Sequence, residues 1–268
     1  MSVYPLSASY PLTARRPSVN SSVVCDHFGV SAEAEQVVVA ENVEIDVRPG
    51  EIVLFVGPSG SGKSTLLRTL TGRLGESNRV IDSGSLDLGE RAIVDELPVR
   101  IDDGLDLLAA CGLGEARLML RSASELSEGQ RYRFRLSRAV AGTAAGNWVV
   151  ADEFTATLDR VLAKVVAFGV RRLADRTRCG FLLATTHEDV ITDLAPDVIV
   201  RCGGDGDVVV SRRDAPSPTT GMTQRGRKKK DGQSASRVSS NSRPDRGATG
   251  RISLGGITGG RDWASCGS

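Results

Sequence analysis

A glycine-rich segment that directly follows an apolar run is the feature that most constrains the fold of this 268-residue chain. Residues 51–56 are almost wholly apolar, which predicts a strand buried on both faces of a sheet. Residues 57–65 read Gly-Pro-Ser-Gly-Ser-Gly-Lys-Ser-Thr, and a helix is predicted over residues 63–73. The backbone N–H groups of such a loop, with the N-terminus of the following helix, surround phosphate oxygens. The sequence therefore predicts a phosphate-binding loop between a strand and a helix.

Two residues of this loop have individual roles in the pattern Gly-x-x-x-x-Gly-Lys-Ser. Lys63 is predicted to reach the β- and γ-phosphates of a nucleotide, and Ser64 to place its hydroxyl on Mg²⁺. A chance glycine-rich turn is the alternative, but such a turn does not require the flanking strand and helix. The predicted nucleotide-binding residues of the loop are Gly57, Pro58, Ser59, Gly60, Ser61, Gly62, Lys63, Ser64 and Thr65.

Two adjacent carboxylates follow a second predicted buried strand at residues 148–151. Asp152 is predicted to hold the Mg²⁺ through water. Glu153 is predicted to be the general base that polarises the attacking water. A solvated acidic pair at the end of a strand is the alternative, and the phosphate-binding loop in the same chain favours the catalytic interpretation.

Strands and helices alternate through the rest of the body. Apolar residues recur at helical spacing in segments 101–111 and 158–174, and buried strands are predicted at 180–185 and 198–200. This alternation predicts an α/β fold with a mostly parallel sheet and a short helical insert near 97–141, and the phosphate-binding loop makes it a P-loop NTPase fold.

Charge is divided unevenly along the chain. Residues 1–210 carry 22 Lys and Arg against 29 Asp and Glu, whereas residues 211–268 carry 12 against 4. The basic tail contains a cluster at Arg225, Arg227 and residues 228–230, which could bind the phosphate backbone of nucleic acid. A solvated tail without a fixed partner is the favoured alternative, because no aromatic residues are interleaved with the cluster.

The five cysteines and the hydropathy of the chain bear on its location. None of Cys25, Cys111, Cys179, Cys202 and Cys266 are paired at short spacing, so neither a zinc site nor a disulfide framework is predicted. No apolar run approaches the ~20 residues that span a bilayer. The start of the chain has no apolar segment of the secretory type. We expect a cytoplasmic protein that contacts membranes only through a partner.

Three further segments follow the phosphate-binding loop in a fixed order: Leu126-Ser127-Glu128-Gly129-Gln130, Thr157-Leu158-Asp159 and Thr185-Thr186-His187. With the loop and the carboxylate pair, they resemble the ATPase domain of the ATP-binding cassette (ABC) superfamily over roughly residues 28–202. The first segment looks like the family's signature loop and the second like its D-loop. Residues 125–136 and 151–154 look like those of soluble bacterial and archaeal members whose relatives can be fused to an N-acetyltransferase domain, although no such domain is recognised here. The resemblance also implies a small antiparallel β portion beside the parallel sheet and a signature loop carried by the helical insert.

The resemblance implies ATP and Mg²⁺ as cofactors and a homodimer that closes around two nucleotides. His187 would sense the γ-phosphate, unless it is an ordinary loop histidine. Asp159 would lie at the dimer interface, a role compatible with capping a helix. The signature residues that would act on the nucleotide of the opposite subunit are Ser127, Glu128, Gly129 and Gln130, with Glu128 in place of the usual glycine.

Two departures from the family pattern weaken the transporter interpretation. The family normally has a Mg²⁺-contacting glutamine before the signature loop, but no glutamine occurs in residues 66–129. Asp95 stands about where that residue would be and is a candidate metal ligand, with a surface acid as the alternative. Lys63 and Ser127 are only 64 residues apart, a shorter separation than transporter ATPases usually have. A membrane-embedded partner subunit is therefore possible but disfavoured.

The family also commonly places an aromatic residue upstream of the phosphate-binding loop, where it stacks on adenine. Phe28 is the candidate here, with a stabilisation on the order of 1 kcal/mol; a core phenylalanine is the alternative. The resulting division is a loose segment 1–24, an ABC-type ATPase domain 25–210 and a disordered basic tail 211–268.

The sequence thus predicts an ATP hydrolase that dimerises around ATP and Mg²⁺, a soluble member without a transport role. One alternative is the energy subunit of an ABC transporter. Another is a nucleotide-gated module that binds nucleic acid through the basic tail.

Overall fold

The computed structural model describes residues 2–12, 18–30, 35–203 and 206–213, all within one compact unit, Met1–Ser217. In chain order the strands of these residues are β1 (Ser2–Leu12), β2 (Glu35–Val47), β3 (Ile52–Val56), β4 (Val80–Asp82), β5 (Trp148–Ala151), β6 (Gly180–Thr185), β7 (Val198–Cys202) and β8 (Val208–Arg212). The α-helices are α1 (Val19–Phe28), α2 (Lys63–Gly75), α3 (Ile101–Ala110), α4 (Ala116–Met119), α5 (Glu128–Ala141), α6 (Arg160–Thr177) and α7 (Ile191–Leu194).

The central sheet has six strands in the order β4-β5-β6-β3-β7-β8. All neighbouring pairs are parallel except β7 and β8, which run antiparallel at one edge. Every residue of β3, β5 and β6 is buried, as continuous apolar strands covered on both faces should be. The predicted α/β fold with a mostly parallel sheet and a small antiparallel portion is confirmed.

Alternate side chains of β3 divide the core into two layers. Ile52 and Leu54 pack with the buried faces of α5 and α6. Val53 and Phe55 pack on the opposite side with α2 and with the strands β1 and β2. The period-two alternation of the strand thus gives the sheet two apolar faces, one covered by α5 and α6 and the other by α2.

The segment between β4 and β5 forms the predicted helical insert. Its own apolar cluster includes Ile93, Leu108, Leu113 and Phe134, each 0% exposed. Ser127 caps α5, as predicted: its hydroxyl accepts the backbone N–H of Gln130. The start of α5 therefore rests on this cluster of the insert, whereas the later residues of α5 pack on the central sheet.

The N-terminal segment departs from the sequence-based prediction. Residues 1–24 were expected to be loose, but β1 pairs with β2 along most of its length. Tyr4, Leu6 and Ala8 alternate toward one face, and Leu6 is 0% exposed against the second core layer. The two prolines of β1, Pro5 and Pro11, argue against a central strand, but β1 pairs with a single strand among the described residues and therefore tolerates them.

The C-terminal boundary also shifts. The basic tail was expected to begin at residue 211, whereas β8 continues to Arg212. Arg212 donates hydrogen bonds to Glu51 (2.6 Å) and to the carbonyl of Asp46 (2.5 Å), which fasten this edge strand to the segment before β3. Residues 214–268, with the basic cluster, lie outside the described residues, so the predictions for disorder and nucleic-acid binding stay predictions.

Within the described ranges, no helix has the length and apolar character needed to cross a lipid bilayer.

Candidate nucleotide site

A cleft of about 510 Å³ lies at the carboxyl edge of the central sheet. Strand β6 hydrogen-bonds to β5 on one side and to β3 on the other, so the loops that follow these three strands meet at one edge. The phosphate-binding loop follows β3, the carboxylate pair follows β5, and the segment 185–187 follows β6. Sheet topology therefore brings together motifs that are as much as 130 residues apart in the sequence.

The phosphate-binding loop is held close to the neighbouring strand. Gly57 has φ +151°, and a Cβ added there would lie 2.1 Å from the carbonyl oxygen of Cys202 at the end of β7. Lys63, at the start of α2, is 8% exposed and donates from Nζ to the carbonyl of Pro58 at 2.5 Å. Burial lowers the pKa of the Lys63 ammonium, although Cys202 and Asp152 oppose that effect. The ammonium is thus bound within the loop itself, at a place where phosphate would supply the missing counter-charge.

Ser64 and the carboxylate pair meet across the cleft. The Ser64 hydroxyl donates to Asp152 Oδ1 at 3.0 Å, and the backbone N–H of Glu153 donates to the same oxygen at 3.0 Å. The Arg68 guanidinium lies 3.9 Å from Asp152 Oδ2 and is largely exposed. A serine hydroxyl beside a carboxylate is the kind of oxygen pair that holds Mg²⁺ when phosphate oxygens and water complete the shell. The described residues contain no cluster of three His, Cys, Asp or Glu that could hold a metal without such help.

The turn after Asp152 has unusual backbone geometry. Glu153 and Thr155 have φ of +53° and +64°, in the left-handed region that non-glycine residues seldom adopt. Phe154 between them is 0% exposed, and its N–H donates to the carbonyl of Ala184 in β6 at 2.6 Å. Backbone strain of this kind persists only where surrounding contacts impose it, and it concentrates at functional sites. Glu153 is exposed and lines the cleft.

The segment after β6 contributes unequally to the cleft. Thr185 and Thr186 line it, whereas His187 does not. His187 is half-buried at the cap of a short 3₁₀ turn, and its backbone N–H donates to Thr185 Oγ1 at 3.1 Å. The histidine thus follows the lining residues in the chain without lining the cleft itself, and its predicted contact with a γ-phosphate stays a prediction.

The signature segment lies outside this cleft. Ser127 and Glu128 are exposed, and none of the four signature residues lines the cleft that holds Lys63. Ser127 and Gln130 form a reciprocal capping pair, in which the backbone N–H of Ser127 also donates to Gln130 Oε1 at 3.0 Å. The 14-residue helix α5 therefore begins with a reciprocal cap whose first residues, Ser127 and Glu128, are exposed to solvent at the positive end of the helix dipole.

Asp159 caps α6, the structural role considered for it beside one at the dimer interface. Its Oδ1 accepts the backbone N–H groups of Val161 and Leu162 at 3.0 and 2.9 Å. The residue is exposed, so this contact does not exclude the predicted interface role.

A second cleft of about 510 Å³ borders the carboxylate pair from the other side. Asp82 and Ser83, at the end of β4, line it together with Asp152 and Glu153. Asp95, the predicted substitute for the missing glutamine, is exposed and lines neither cleft. The prediction is corrected for a physical reason: β4 is the strand next to β5, whereas the segment around Asp95 hydrogen-bonds to Met119 and its neighbours within the helical insert.

The prediction for the aromatic residue that stacks on adenine is also corrected. Phe28 is 70% exposed at the end of α1, where it contacts the ring of His27 edge-on. Tyr10 of β1 instead lines the nucleotide cleft and a smaller cleft of about 300 Å³ over Pro58–Gly62. The period-two alternation of Tyr4, Leu6, Ala8 and Tyr10 was the sequence signal that could have identified this strand.

Comparison with known proteins agrees with this geometry. A family model described as "ABC transporter" matches residues 40–104. The chain is 34% identical over 183 residues to a zinc import ATP-binding protein, ZnuC, of Paracoccus denitrificans, which covers 62% of this chain and 70% of that relative. It is 27% identical over 223 residues to a phosphonates import ATP-binding protein, PhnC, of Hyphomonas neptunium, covering 68% and 84%.

Other relatives are longer. The match to the maltose/maltodextrin import ATP-binding protein MalK of Escherichia coli has 29% identity and covers 63% of this chain, but the chain spans only about half (53%) of that relative.

Solved structures show the same fold. One is an ATP-binding cassette in a dimeric, post-hydrolysis state bound to ADP and phosphate, with 18% identity, a TM-score of 0.52, and coverage of 78% of this chain and 97% of that one. Another is cbiO1 of Clostridium perfringens, with 17% identity, a TM-score of 0.50, and coverage of 64% and 80%. The family model, the zinc-import relative and the shared fold lead to one conclusion: this chain belongs to the ABC transporter family and is an ATP hydrolase.

Proposed function

We propose that this chain is the ATP-hydrolysing subunit of an import system, acting as a homodimer whose cycle of closing and opening is driven by ATP. The observation that carries the proposal is the convergence of Lys63, Ser64, Asp152 and Glu153 on one cleft. The relatives named above, which are described as import ATP-binding proteins, support the transport role.

The chemistry follows from the side chains around that cleft. Lys63 binds the β- and γ-phosphates, whose negative charge adds to that of Asp152 in stabilising its buried ammonium. Ser64 and Asp152 would hold Mg²⁺, which neutralises charge on the phosphate oxygens when bound. Glu153 accepts a proton from water as the water oxygen bonds to the γ-phosphorus and the bond to the β,γ-bridging oxygen breaks. The products are ADP and phosphate.

A second copy of the chain is part of this proposal because the signature segment does not line the cleft around Lys63. Ser127 is exposed and Gly129 half-buried at the start of α5, and of the signature residues Glu128 lines the second cleft beside Asp152 and Glu153. A helix N-terminus with free N–H groups is a suitable partner for a phosphate presented by another subunit. We infer that each subunit completes the site of the other.

The experiment that tests the catalytic assignment uses Glu153→Gln in the full chain. Without a base, the variant should bind ATP and stay closed, so that light scattering after size exclusion gives twice the monomer mass with ATP and Mg²⁺ but not with ADP. Glu115→Gln, which changes an exposed carboxylate in the helical insert, is the matched control and should behave like the parent. An unchanged rate of ATP hydrolysis in Glu153→Gln would remove Glu153 as the base. A parent chain that hydrolyses ATP at full rate as a dilute monomer would refute the shared site.

A soluble ATPase without a transport role is the second candidate, because two observations favour it. The segment 66–129 has no glutamine, and only 64 residues separate Lys63 from Ser127. Sedimentation of the tagged chain with membranes of its native cell distinguishes the candidates, with protein-free vesicles of the same lipids as the control. Retention by native membranes alone supports a membrane partner, whereas a fully unbound chain supports the soluble ATPase.

A further inference from the structure

A tyrosine of the signature helix contacts the turn that carries the proposed base. The hydroxyl oxygen of Tyr132, in the second turn of α5, accepts the backbone N–H of Thr155 at 3.2 Å. Thr155 is 0% exposed, so its N–H has no access to water as an alternative partner. Burial raises the pKa of Tyr132, which keeps the hydroxyl protonated in the range where the enzyme would work.

The bonded residue is part of the strained segment. Thr155 and Glu153 both have left-handed φ values, which non-glycine residues keep only where their surroundings impose the conformation. The hydrogen bond from Phe154 to Ala184 fixes the turn from the side of β6. The bond to Tyr132 fixes it from the side of α5. The direction in which Glu153 points therefore depends on both attachments.

A second contact connects the same two segments one helical turn earlier. A Cβ added at Gly129 would lie 3.2 Å from the carbonyl oxygen of Thr157 and 3.2 Å from Leu158 Cδ2. The start of α5 therefore packs directly against the end of the turn. Gly129 and Tyr132 are three residues apart and lie on the same side of the helix.

We propose that Tyr132 is a positioning residue, which holds the strained turn 153–155 and so couples the signature helix of each subunit to the base of that same subunit. This inference rests on the proposed dimer. When the start of α5 binds the partner's ATP, the helix transmits its position through Tyr132 to its own Glu153. ATP bound to one subunit would then change the position of Glu153 in the other subunit.

The first test is Tyr132→Phe, which removes one oxygen and keeps the ring. We expect kcat to fall about tenfold, which corresponds to loss of roughly one hydrogen bond in the transition state, while KM for ATP changes less than about twofold. Tyr4→Phe, at another partly buried tyrosine remote from the turn, is the matched control and should keep the parent kcat. A further variant, Tyr132→Phe with Thr155→Gly, should recover part of the lost kcat because glycine adopts the left-handed conformation without support. No recovery would contradict the role of the bond in holding that conformation.

The second test asks on which site Tyr132 acts, using mixed dimers with a different tag on each subunit. Each mixed dimer carries one Glu153→Gln, so a single site hydrolyses ATP, and the rate constant of one turnover is measured by rapid quench. The parent paired with Glu153→Gln sets the reference. In one mixed dimer Tyr132→Phe is in the same subunit as Glu153→Gln, and in the other it is in the opposite subunit.

The inference predicts that only the opposite-subunit arrangement is slow, because its active Glu153 lacks its own Tyr132. If instead the same-subunit arrangement is slow, Tyr132 acts through the signature loop on the partner's ATP and the inference is wrong. Equal rates in both arrangements also overturn it. Failure of the proposed dimer would be recognised separately, since the reference pair would then not form in ATP.

Discussion

The close approach of the phosphate-binding loop to β7 makes a quantitative prediction for three glycine-to-alanine substitutions. Gly57→Ala combines two costs, because φ is +151° and the new Cβ would lie 2.1 Å from the backbone oxygen of Cys202. The backbone conformation costs about 1–3 kcal/mol, and the overlap with a main-chain atom adds about 1–3 kcal/mol. We therefore expect the free energy of unfolding to fall by about 2–6 kcal/mol, a large part of the total for a domain.

Two neighbouring glycines separate the contributions. Gly60 has φ +82° but no atom within 4 Å of its added Cβ, so Gly60→Ala should cost only the conformational part, about 1–2 kcal/mol. Gly72 lies in α2 with open space around it, so Gly72→Ala should stabilise the chain by up to about 1 kcal/mol.

The assay is urea unfolding without nucleotide, followed by tryptophan fluorescence in a Trp263→Phe background, so that the signal reports Trp148, which is 1% exposed in the second core layer. The expected order of stability is Gly72→Ala above the parent, then Gly60→Ala, then Gly57→Ala. Equal midpoints for Gly57→Ala and Gly60→Ala at equal slopes would refute the argument that the Cys202 carbonyl constrains the loop.

The other predictions concern the cleft. Lys63→Met should abolish ATP binding in calorimetry without lowering the stability of the free protein, because a buried ammonium is removed. The pKa of Lys63 is lowered from 10.5 in the folded protein, so the unfolded parent binds more protons just below that pH. The stability of the parent relative to Lys63→Met should therefore rise with pH in that range. Tyr10→Ala should raise KM for ATP by about fivefold through loss of stacking worth about 1 kcal/mol, whereas Phe28→Ala should leave KM unchanged in a steady-state assay. Because Ser83 lines the cleft beside Asp152 and Asp95 does not, Ser83→Ala should raise the Mg²⁺ concentration required for half-maximal hydrolysis, whereas Asp95→Asn should not. The opposite result would restore Asp95 as the candidate metal ligand.

The sequence predicted the central sheet well because its strands are recognisable locally. Segments 52–56, 148–151 and 180–185 are short apolar runs followed at once by motif residues, and each is a buried strand. Ser127 and Gln130 form a cap from residues three positions apart, which a single sequence also reveals. These features depend on near neighbours in the chain.

The errors have a common cause, which is that they concern pairing between distant segments. Tyr10 becomes part of the cleft only because β1 pairs with β2 and packs over α2. Ser83 lines a cleft together with Asp152 because the three-residue strand β4 pairs with β5, and a strand so short gives little hydrophobic signal. Asp95 occupied a suitable position in the linear order but not in the sheet. The bond between Tyr132 and Thr155 joins residues 23 positions apart and has no signature in either segment.

The place of β6 between β3 and β5 limits how the enzyme can move during its cycle. Adjacent strands are about 4.8 Å apart, so two such steps separate the strand before the phosphate-binding loop from the strand before the base. Because β6 is hydrogen-bonded on both sides and fully buried, the distance between β3 and β5 is expected to stay constant. Adjustments of the base relative to the phosphate-binding loop within one subunit are therefore expected in the turns beyond the strand ends and not in the strands themselves.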